Sequence, residues 1–553
     1  MRLINVESLV LEEFMAGGSE APPYAILSHT WGDGEVTFQD FTHSDESVRS
    51  RKHGFDKISK TCALAKGEGL KYAWVDTCCI DKTSSAELTE AINSMFQWYR
   101  DAVACYAWLG DLPSSAVVGS QPDKLALSKC RWFTRGWTLQ ELIAPRVVQF
   151  YDEAWVPCGT KESLAAVLSD ITKVDAGILA DPDLLPGLSV AKRMSWAAAR
   201  RTTRVEDTAY CLLGIFDVNM PMLYGEGAKA FLRLQEELAR ASNDLSLFAW
   251  RRKTPDHQYA GVFATSPVDF ADSRSIELAG DTVYNPEYSL TNKGLHMSAN
   301  LFSGKDGTYL MKLNCNETTA SGERPVGISI RPHGGGVYCR ANLSEFREEA
   351  AGDAANLRDV FLFRQLTAAR AKQLEASHSN AFMLRKGFNT RESIQYDDFP
   401  FAMNLAMPRE EWDSQRGMFL TLGAAEFFGY VLFARRRDAE GFEELSPGSM
   451  FMMAFGKTGS QDAWVSLCAP LTHSAVWRRV QDVTQTRAAV LNQPAVVPVL
   501  QMRNKLNKPS SKVAASIKKD KVDGREVHCI DLVYLNGPEA EADWARENGQ
   551  DCT

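Results

Sequence analysis

The chain has no apolar run that approaches the roughly 20 residues a membrane-spanning helix needs. Its first residues, Met1–Glu7, lack the basic stretch and the apolar core of a signal peptide. It also has no surplus of positive charge, because 61 Lys and Arg stand against 70 Asp and Glu, giving a net charge of -9. A general nucleic-acid binder needs a basic face that releases counterions from phosphate. We therefore predict a cytoplasmic protein with no membrane and no nucleic-acid partner.

Metal-binding and disulfide patterns are missing as well. The 12 cysteines are spread along the chain without a CxxC pair, and adjacent Cys78 and Cys79 fit neither a zinc knuckle nor a disulfide framework. The nine histidines are scattered without ligand spacing. Free buried thiols are the simplest interpretation, and a nucleophilic role for Cys78 or Cys79 beside His29 is the alternative. We predict no metal and no prosthetic group.

Nucleotide-switch and repeat signatures are also absent. Gly456-Lys457-Thr458 resembles the end of a phosphate-binding P-loop, but Phe451 stands where that motif requires its first glycine. We interpret this segment as a turn. No internal repeat of the solenoid or propeller type is present.

A chain of 553 residues with 45% hydrophobic and 24% charged residues is typical of a folded protein with two or three domains. Changes in pattern along the chain predict three parts. Residues 1–160 form an α/β domain, residues 161–245 a helical extension of it, and residues 246–553 a β-rich (α+β) domain.

Strand and helix signals alternate in the first part. A hydroxyl-to-glutamate capping box at Ser84–Glu87 marks one helix start. Continuous apolar strands between helices predict a mostly parallel sheet covered on both faces. The predicted strands are Tyr24–His29, Tyr72–Asp76, Ala104–Leu109 and Val147–Tyr151, and the predicted helices are Gly54–Gly69, the segment after Ser84 and Trp132–Ile143.

The later half has a different character. Apolar runs between Gly-, Asn- and Pro-rich turns predict strands, and a sandwich of sheets is one arrangement of them. Ala350–Ala376 is predicted as a helical insertion. Asn504–Lys521, which is rich in Lys and Ser, is predicted as a loop or linker rather than a basic binding patch. The clearest predicted strands are Tyr309–Leu313, Val326–Ile330 and Phe427–Phe433.

Ligands of parallel sheets bind at the carboxyl ends of the strands. The first strand ends in Ser28-His29-Thr30-Trp31, the second in Asp76, and the third in Gly110-Asp111. Hydroxyls, an imidazole and carboxylates at one edge suit a sugar or a phosphate. We predict a binding edge there.

The segment around Trp137 adds a carboxylate. Trp137 and Glu141 are four residues apart and share a helix face. A glutamate beside a tryptophan can occupy a partly dry cleft that stacks an aromatic ring. The alternative is an ordinary amphipathic helix in which Glu141 faces solvent.

Four ordered motifs resemble those of the fungal heterokaryon incompatibility (HET) domain family. They extend over about 200 residues, somewhat less than half of the chain. The later half is similar to an uncharacterised domain that often follows HET domains. The matching segments are Tyr24–Gly32, Trp74–Asp81, Arg135–Pro145 and Glu206–Phe216 running into Met220–Gly227.

The resemblance implies a role in non-self recognition, in which the domain triggers programmed cell death after incompatible cells fuse. The family is held to be distantly similar to the Toll/interleukin-1 receptor (TIR) fold. Plant TIR domains that cleave NAD carry a catalytic glutamate in a Trp-Cys-Leu-x-Glu-Leu segment, which Trp137–Leu142 resembles with Thr138 in place of Cys. This implies a catalytic Glu141, with Ser28, His29, Thr30, Trp31, Asp76 and Trp137 as substrate-binding residues.

Two classes of function follow from the resemblance. One is an NAD(P) nucleosidase that acts as a death effector, with NAD(P) as substrate. The other is a non-enzymatic module that signals by self-association through the HET domain. A third reading, compatible with either, is a regulated two-part protein whose β-rich half senses an unknown protein partner or ligand or holds the N-terminal domain inactive.

Overall fold

The computed structural model describes residues 1–14, 21–118, 121–303, 308–333, 336–347, 355–377, 381–386, 401–409, 411–414, 416–421, 424–435, 450–459, 462–468, 486–488, 490, 497–503, 509–522, 525–535 and 537–548.

A seven-stranded sheet organises the N-terminal region. Its order is β2-β1-β4-β3-β5-β8-β9; the four central strands pair in parallel, and the edge strands pair antiparallel. Every residue of Tyr24–His29 is buried, as a strand covered on both faces requires. The predicted α/β class with a parallel sheet is confirmed. The strands are β1 (Arg2–Asn5), β2 (Leu11–Glu13), β3 (Tyr24–His29), β4 (Tyr72–Trp74), β5 (Ala104–Trp108), a separate pair β6 (Val117–Val118) and β7 (Gln121–Pro122), β8 (Val148–Tyr151) and β9 (Pro157–Thr160).

The helices of this region lie within the described residues between 38 and 241. The helical character predicted for residues 161–242 is confirmed, and Phe231, Leu234 and Leu238 form the buried face of the last of these helices. The helices are α1 (Phe38–Phe41), α2 (Ser47–Ser50), α3 (Gly54–Gly67), α4 (Asp76–Cys79), α5 (Ser85–Asp101), α6 (Lys124–Lys129), α7 (Thr138–Ile143), α8 (Ala165–Thr172), α9 (Ala176–Ala180), α10 (Val190–Ser195), α11 (Asp207–Tyr210), α12 (Leu213–Phe216) and α13 (Lys229–Ala241).

The start of α5 differs in part from the prediction. Ser84 is the N-cap, and its hydroxyl accepts from the Glu87 amide, as predicted. The Glu87 carboxylate does not return to the Ser84 amide. It accepts from the Asp81 amide at 2.7 Å and pairs with Arg2 at 2.5 Å. The second half of the predicted capping box is therefore wrong, because a nearby guanidinium and a closer amide compete for the carboxylate.

The helix predicted over Trp132–Ile143 is interrupted. Residues Arg131–Thr134 form a 3-10 turn, and α7 begins only at Thr138. Between them, the Gly136 amide donates to the Arg201 carbonyl at 2.9 Å, and the Arg201 amide donates to the Thr134 carbonyl at 2.7 Å. Helical bonding cannot continue through a backbone that pairs with another segment. The second predicted strand is also shorter than expected, since β4 ends at Trp74 and Asp76 begins α4.

The later region is rich in strands, as predicted. One seven-stranded sheet has the order β10-β13-β14-β15-β16-β12-β11, a six-stranded sheet has β19-β20-β17-β26-β25-β24, and a four-stranded sheet has β18-β21-β22-β23. The strands are β10 (Ile276–Leu278), β11 (Tyr288–Thr291), β12 (Gly294–Ser303), β13 (Tyr309–Thr319), β14 (Gly322–Pro332), β15 (Val337–Ala341), β16 (Ala355–Leu362), β17 (Phe382–Lys386), β18 (Phe401–Met407), β19 (Trp412–Asp413), β20 (Met418–Phe419), β21 (Phe427–Arg435), β22 (Met450–Lys457), β23 (Trp464–Cys468), β24 (Val499–Arg503), β25 (Pro509–Val522) and β26 (Arg525–Leu535); the helices are α14 (Ala368–Ser377) and α15 (Pro538–Asn548).

Two predictions for this region are corrected. The segment predicted as a helical insertion, Ala350–Ala376, contains strand β16 before helix α14, because β16 pairs with β12 over eight residues. The segment predicted as a loop, Asn504–Lys521, contains most of β25, whose polar residues alternate with Val513, Ala515 and Ile517 against β26. Residues 350–354 and 504–508 of these two predictions lie outside the described residues.

Apolar packing joins the first sheet to part of the β-rich region. One continuous core extends from Leu3 to Leu362, and a second core lies within residues 382–534. The boundaries predicted at residues 160 and 245 stay predictions. No helix within the described parts of the chain is long and apolar enough to span a membrane. The 11 cysteines that the structure describes are all buried, and none of them forms a disulfide bond, which confirms their expected burial.

Candidate functional site

A cavity of about 280 Å³ opens at the carboxyl ends of β3 and β4. Four sequence-distant segments form its walls: the β3 end, the β4 end with α4, the apolar face of α5, and the turn that leads into α7. A fifth wall comes from the segment before α11 and from a later loop. The lining residues are His29, Trp31, Asp76, Ile80, Lys82, Leu88, Ile92, Met95, Tyr99, Arg135, Trp137, Thr138, Glu141, Thr203, Arg204, Asp207 and Tyr224.

The short helix α7 is anchored at both ends, which fixes the position of Glu141. At its start, the Thr138 hydroxyl donates to backbone carbonyls of the preceding turn. At its end, the buried Lys161 ammonium donates to the Leu142 and Ile143 carbonyls at 3.2 Å each and to the Pro145 carbonyl at 2.5 Å. A cation at the carbonyl end of a helix satisfies unpaired acceptors and opposes the helix dipole.

Glu141 is 7% exposed and points to the cavity floor rather than to solvent, so the interpretation as a solvent-facing helix residue is wrong. Ser28, which is fully buried, donates from its hydroxyl to Glu141 Oε2 at 2.5 Å. The same hydroxyl oxygen accepts from Trp132 Nε1 at 2.8 Å. These two hydrogen bonds fix the orientation of the Glu141 carboxyl group.

Burial raises the pKa of Glu141 to about 8, and the charge of Asp76 acts in the same direction. The hydrogen bond from Ser28 and the positive charges of Arg135 and Arg200 only partly oppose this shift. At neutral pH the unliganded protein therefore holds Glu141 mostly as the neutral acid. A cationic ligand beside it would favour the carboxylate, since an opposite charge within a few ångströms lowers a carboxyl pKa.

His29 presents a neutral imidazole to the cavity. The residue is 7% exposed, and neither ring nitrogen has a hydrogen-bond partner within the described part of the chain. Its Nε2 lies 3.6 Å from Asp76 Oδ1. Burial and the nearby charge of Lys57 lower the pKa of His29 to about 3. A buried imidazole without partners costs free energy unless a ligand or water satisfies it.

Trp31, Asp76 and Lys82 form the outer wall. Trp31 Nε1 donates to Asp76 Oδ2 at 3.0 Å, and the Lys82 ammonium lies 3.7 Å from the centre of the Trp31 ring. One face of Trp31 is thus covered by a cation. Burial lowers the pKa of Lys82, although Asp76 opposes this. Trp31 remains 44% exposed.

The wall opposite β3 was not identified from sequence. Asp207 is 9% exposed and accepts from the Tyr224 hydroxyl at 2.9 Å. Burial raises the pKa of Asp207, although the hydrogen bond from Tyr224 opposes this shift. The Arg204 guanidinium lies 4.4 Å from the centre of the Tyr224 ring. Asp207 and Tyr224 belong to the fourth motif and Arg204 lies just before it, but an argument from the ends of strands does not identify a segment outside the sheet.

Most of the predicted site residues meet at this cavity. His29, Trp31, Asp76, Trp137 and Glu141 line it. The remaining two do not line it. Ser28 lies behind Glu141, and Thr30 lines a neighbouring pocket with residues of α3 and the β5 end.

Cys78 and Cys79 are structural. Both thiols are buried, Cys78 donates weakly to the Val75 carbonyl at 3.8 Å, and Cys79 accepts from the Val75 amide at 3.4 Å. Burial holds the pKa of Cys78 far above its ordinary value, which disfavours the thiolate that a nucleophile needs. The predicted alternative of a Cys–His nucleophile is therefore not supported by this geometry.

Glu141 predicts a pH dependence of stability. Its pKa is about 8 when folded against an ordinary 4.5, so between these values the folded chain holds a proton that the unfolded chain has lost. The stabilisation that the neutral acid contributes is fully present below pH 4.5. It declines as the pH rises from 4.5 to about 8 and is lost above that pH. Relative to Glu141→Gln, the wild-type free energy of unfolding should fall by at most about 1.4 kcal/mol per pH unit across this window.

Denaturant unfolding of both proteins at about pH 5, 6.5 and 8.5 measures this difference. If the free energies of unfolding of wild type and Glu141→Gln differ by the same amount at every pH, the carboxyl group is ionised in the folded protein.

The fold and the cavity together define a class: an α/β domain that holds a carboxyl group and a neutral imidazole in a ligand-sized cavity at the carboxyl edge of a parallel sheet. Residues 24–123 match the family model "Heterokaryon incompatibility protein (HET)". This segment of the N-terminal region is therefore similar to the HET family.

One curated relative is similar in sequence to this chain. "Vegetative incompatibility protein HET-E-1" of Podospora anserina is 47% identical over 224 residues, which cover 40% of this chain. The chain spans 16% of that relative's length. No solved structure matches the chain, so the likeness to the TIR fold stays a prediction.

Proposed function

We propose that the protein acts in heterokaryon incompatibility and that its HET domain cleaves the nicotinamide–ribose bond of NAD(P) in the cavity at Glu141. The observation that carries the proposal is the placement of Glu141: buried at the floor of a ligand-sized cavity, oriented by Ser28, and flanked by the unpartnered imidazole of His29. Carboxyl groups in such surroundings stabilise cationic sugar transition states in glycoside cleavage.

The reaction is a hydrolysis. The bond between the nicotinamide nitrogen and ribose C1′ breaks, and its electron pair neutralises the cationic ring. Water adds to C1′ and gives up one proton, so the products are nicotinamide, ADP-ribose and a proton. Because the leaving group is already a cation, no general acid has to protonate it.

The residues of the cavity suit these steps. A bound nicotinamide ring would ionise Glu141, and the carboxylate would then stabilise the developing charge at C1′ or accept the proton of the attacking water. His29 offers a neutral nitrogen to a ribose hydroxyl. Trp137 offers an aromatic surface for the leaving ring.

The link to incompatibility rests on the relative. Its name assigns it to vegetative incompatibility, the similarity covers 224 residues of the chain, and residues 24–123 match the HET family model. Cleavage of NAD(P) would give such a domain a means to kill a cell, because loss of the dinucleotide stops redox metabolism.

The purified full-length chain tests the proposal. NAD and NADP are incubated with it separately, and nicotinamide and ADP-ribose (or its phosphate) are quantified by chromatography. We expect nicotinamide and the ribosyl product in equal amounts. Activity that survives in a Glu141→Ala preparation, or absence of product with a folded wild-type chain, contradicts the assignment of this cavity.

The non-enzymatic alternative makes a different prediction for cells. Expression of the full-length chain in a host fungus should arrest growth, and Glu141→Gln should relieve the arrest if cleavage is the cause. Arrest that persists in this variant but disappears on surface substitutions would favour signalling by self-association.

A further inference from the structure

We propose that Arg135 and Arg204 form a phosphate clamp at the mouth of the cavity, so that the substrate is a phosphorylated nicotinamide nucleotide and not the free nucleoside. This inference rests on the proposed cleavage site and adds the residues that would bind the phosphate groups of the substrate. It assigns a binding role to two residues that the sequence motifs did not single out for one.

Arg135 lies in the backbone turn before α7 and lines the cavity. Its Nη1 donates to the Thr203 hydroxyl at 3.0 Å. The charge reaches the cavity floor, because Arg135 lowers the pKa of both Glu141 and His29. No carboxylate of the described residues lies within the 4.0 Å ion-pair distance of this guanidinium.

Arg204 is exposed and also lines the cavity. Its guanidinium is stacked on the Tyr224 ring, with 4.4 Å between the guanidinium carbon and the ring centre. Stacking uses a face of the guanidinium and leaves the in-plane N–H donors available. Within the parts of the chain that the structure describes, it too lacks a carboxylate at ion-pair distance.

The platform under Arg204 is itself fixed. The Tyr224 hydroxyl donates to Asp207, and the Glu206 carboxylate accepts from the amides of Gly225 and Gly227 at 2.8 and 3.0 Å. The loop that carries Tyr224 is therefore tied to the segment that carries Arg204. The Tyr224 ring on which the guanidinium stacks is thus held in place, which reduces the entropy cost of ordering Arg204 on a ligand.

Other arginines around the site are already used. Arg200 donates to the Arg135 carbonyl at 2.7 Å and to the Thr138 hydroxyl at 2.9 Å, and Arg233 pairs with Glu226 at 2.5 Å. Arg135 and Arg204 differ from these two in lining the cavity, and neither has an anionic partner at ion-pair distance among the described residues. A planar fork of N–H donors matches phosphate oxygens in geometry and charge.

The charges of the residues that line the cavity also favour an anionic ligand. Its lining contains three cationic side chains and three carboxyl groups. One carboxyl, Glu141, is mostly neutral at neutral pH, which leaves positive charge uncompensated. The lining therefore favours an anion, and a nicotinamide nucleotide carries anionic phosphate groups.

Binding can be tested without turnover. Inorganic pyrophosphate and ADP-ribose are titrated calorimetrically into the full-length wild type, Arg135→Gln, Arg204→Gln and the double variant. Arg201→Gln is the matched control, since Arg201 is exposed in the same segment and its side chain does not line the cavity. We expect each single clamp variant to weaken ADP-ribose binding about tenfold or more, the control to match wild type, and added salt to weaken wild-type binding.

A kinetic comparison separates this inference from the proposed function. Wild type should prefer NAD over nicotinamide riboside in kcat/KM, and the double variant should lose that preference through a higher KM for NAD. Cleavage of NAD that the clamp variants leave unchanged overturns the clamp. ADP-ribose binding that depends on both arginines, with no nicotinamide release by wild type, supports the clamp and contradicts the proposed cleavage. Equal midpoints of thermal unfolding for wild type and all variants would confirm that each protein is folded in these assays.

Discussion

Replacing Glu141 by glutamine is expected to lower the rate of nicotinamide release from NAD by roughly 10²–10⁴-fold. The amide has the same shape and can still accept from the Ser28 hydroxyl, so the cavity should stay intact. It cannot become negative, and so it cannot stabilise charge at C1′ or accept a proton from water. Chromatographic initial rates at saturating NAD measure the effect.

The pH profile gives this prediction a second readout. Since the free enzyme holds Glu141 with a pKa of about 8, kcat/KM should rise with pH up to about that value, whereas kcat should level off at lower pH if the bound cation lowers the pKa. Glu162→Gln is a suitable control, because Glu162 is exposed and does not line the cavity. Similar rates for Glu141→Gln and the control would exclude Glu141 as the reacting carboxyl group.

Replacing Gly214 by alanine is expected to destabilise the fold by about 3 kcal/mol. Helix α12 crosses α5 at this glycine, and an added Cβ would lie 2.0 Å from Cβ of Phe96. Cβ of Phe96 is bonded to the backbone and cannot rotate away, so the helices must separate. Ile92, Met95 and Tyr99 of the same helix line the cavity, so substrate binding should weaken as well.

Denaturant unfolding of the full-length protein measures the loss, and Gly177→Ala is the matched control. Gly177 is in helix α9, and an added Cβ there meets nothing within 4 Å. It should be neutral or stabilising by up to about 1 kcal/mol, the difference in helix propensity. A Gly214→Ala protein as stable as the control would mean that the two helices can move apart freely.

The site was predictable in part because parallel sheets bring strand ends together. His29 and Asp76 follow neighbouring strands, and both line the cavity. Thr30 follows the same strand as His29 but lines the neighbouring pocket, since successive side chains of an extended chain point to opposite sides. For Glu141, helix periodicity allowed either a core-facing or a solvent-facing orientation. The resemblance favoured the cavity, and the geometry agrees.

Misplaced elements have specific causes. Trp132–Ile143 has the composition of one helix, but pairing of Gly136 with Arg201, much later in the chain, interrupts it. The Lys-rich segment at 509–522 has the composition of a loop, yet β26 supplies a partner along most of its length. In each case a distant backbone segment provided hydrogen bonds that outweighed local propensity.

The sequence by itself determined the parallel sheet, since runs such as Tyr24–His29 are apolar on both faces and can only be buried between layers. It also determined which residues follow the strands. Only the tertiary structure decided that Glu141 turns inward to Ser28, and that Arg204, Asp207 and Tyr224 close the cavity from the far side. The physical reason is that strand periodicity is local, whereas the walls of a cavity depend on hydrogen bonds and packing between segments far apart in the chain.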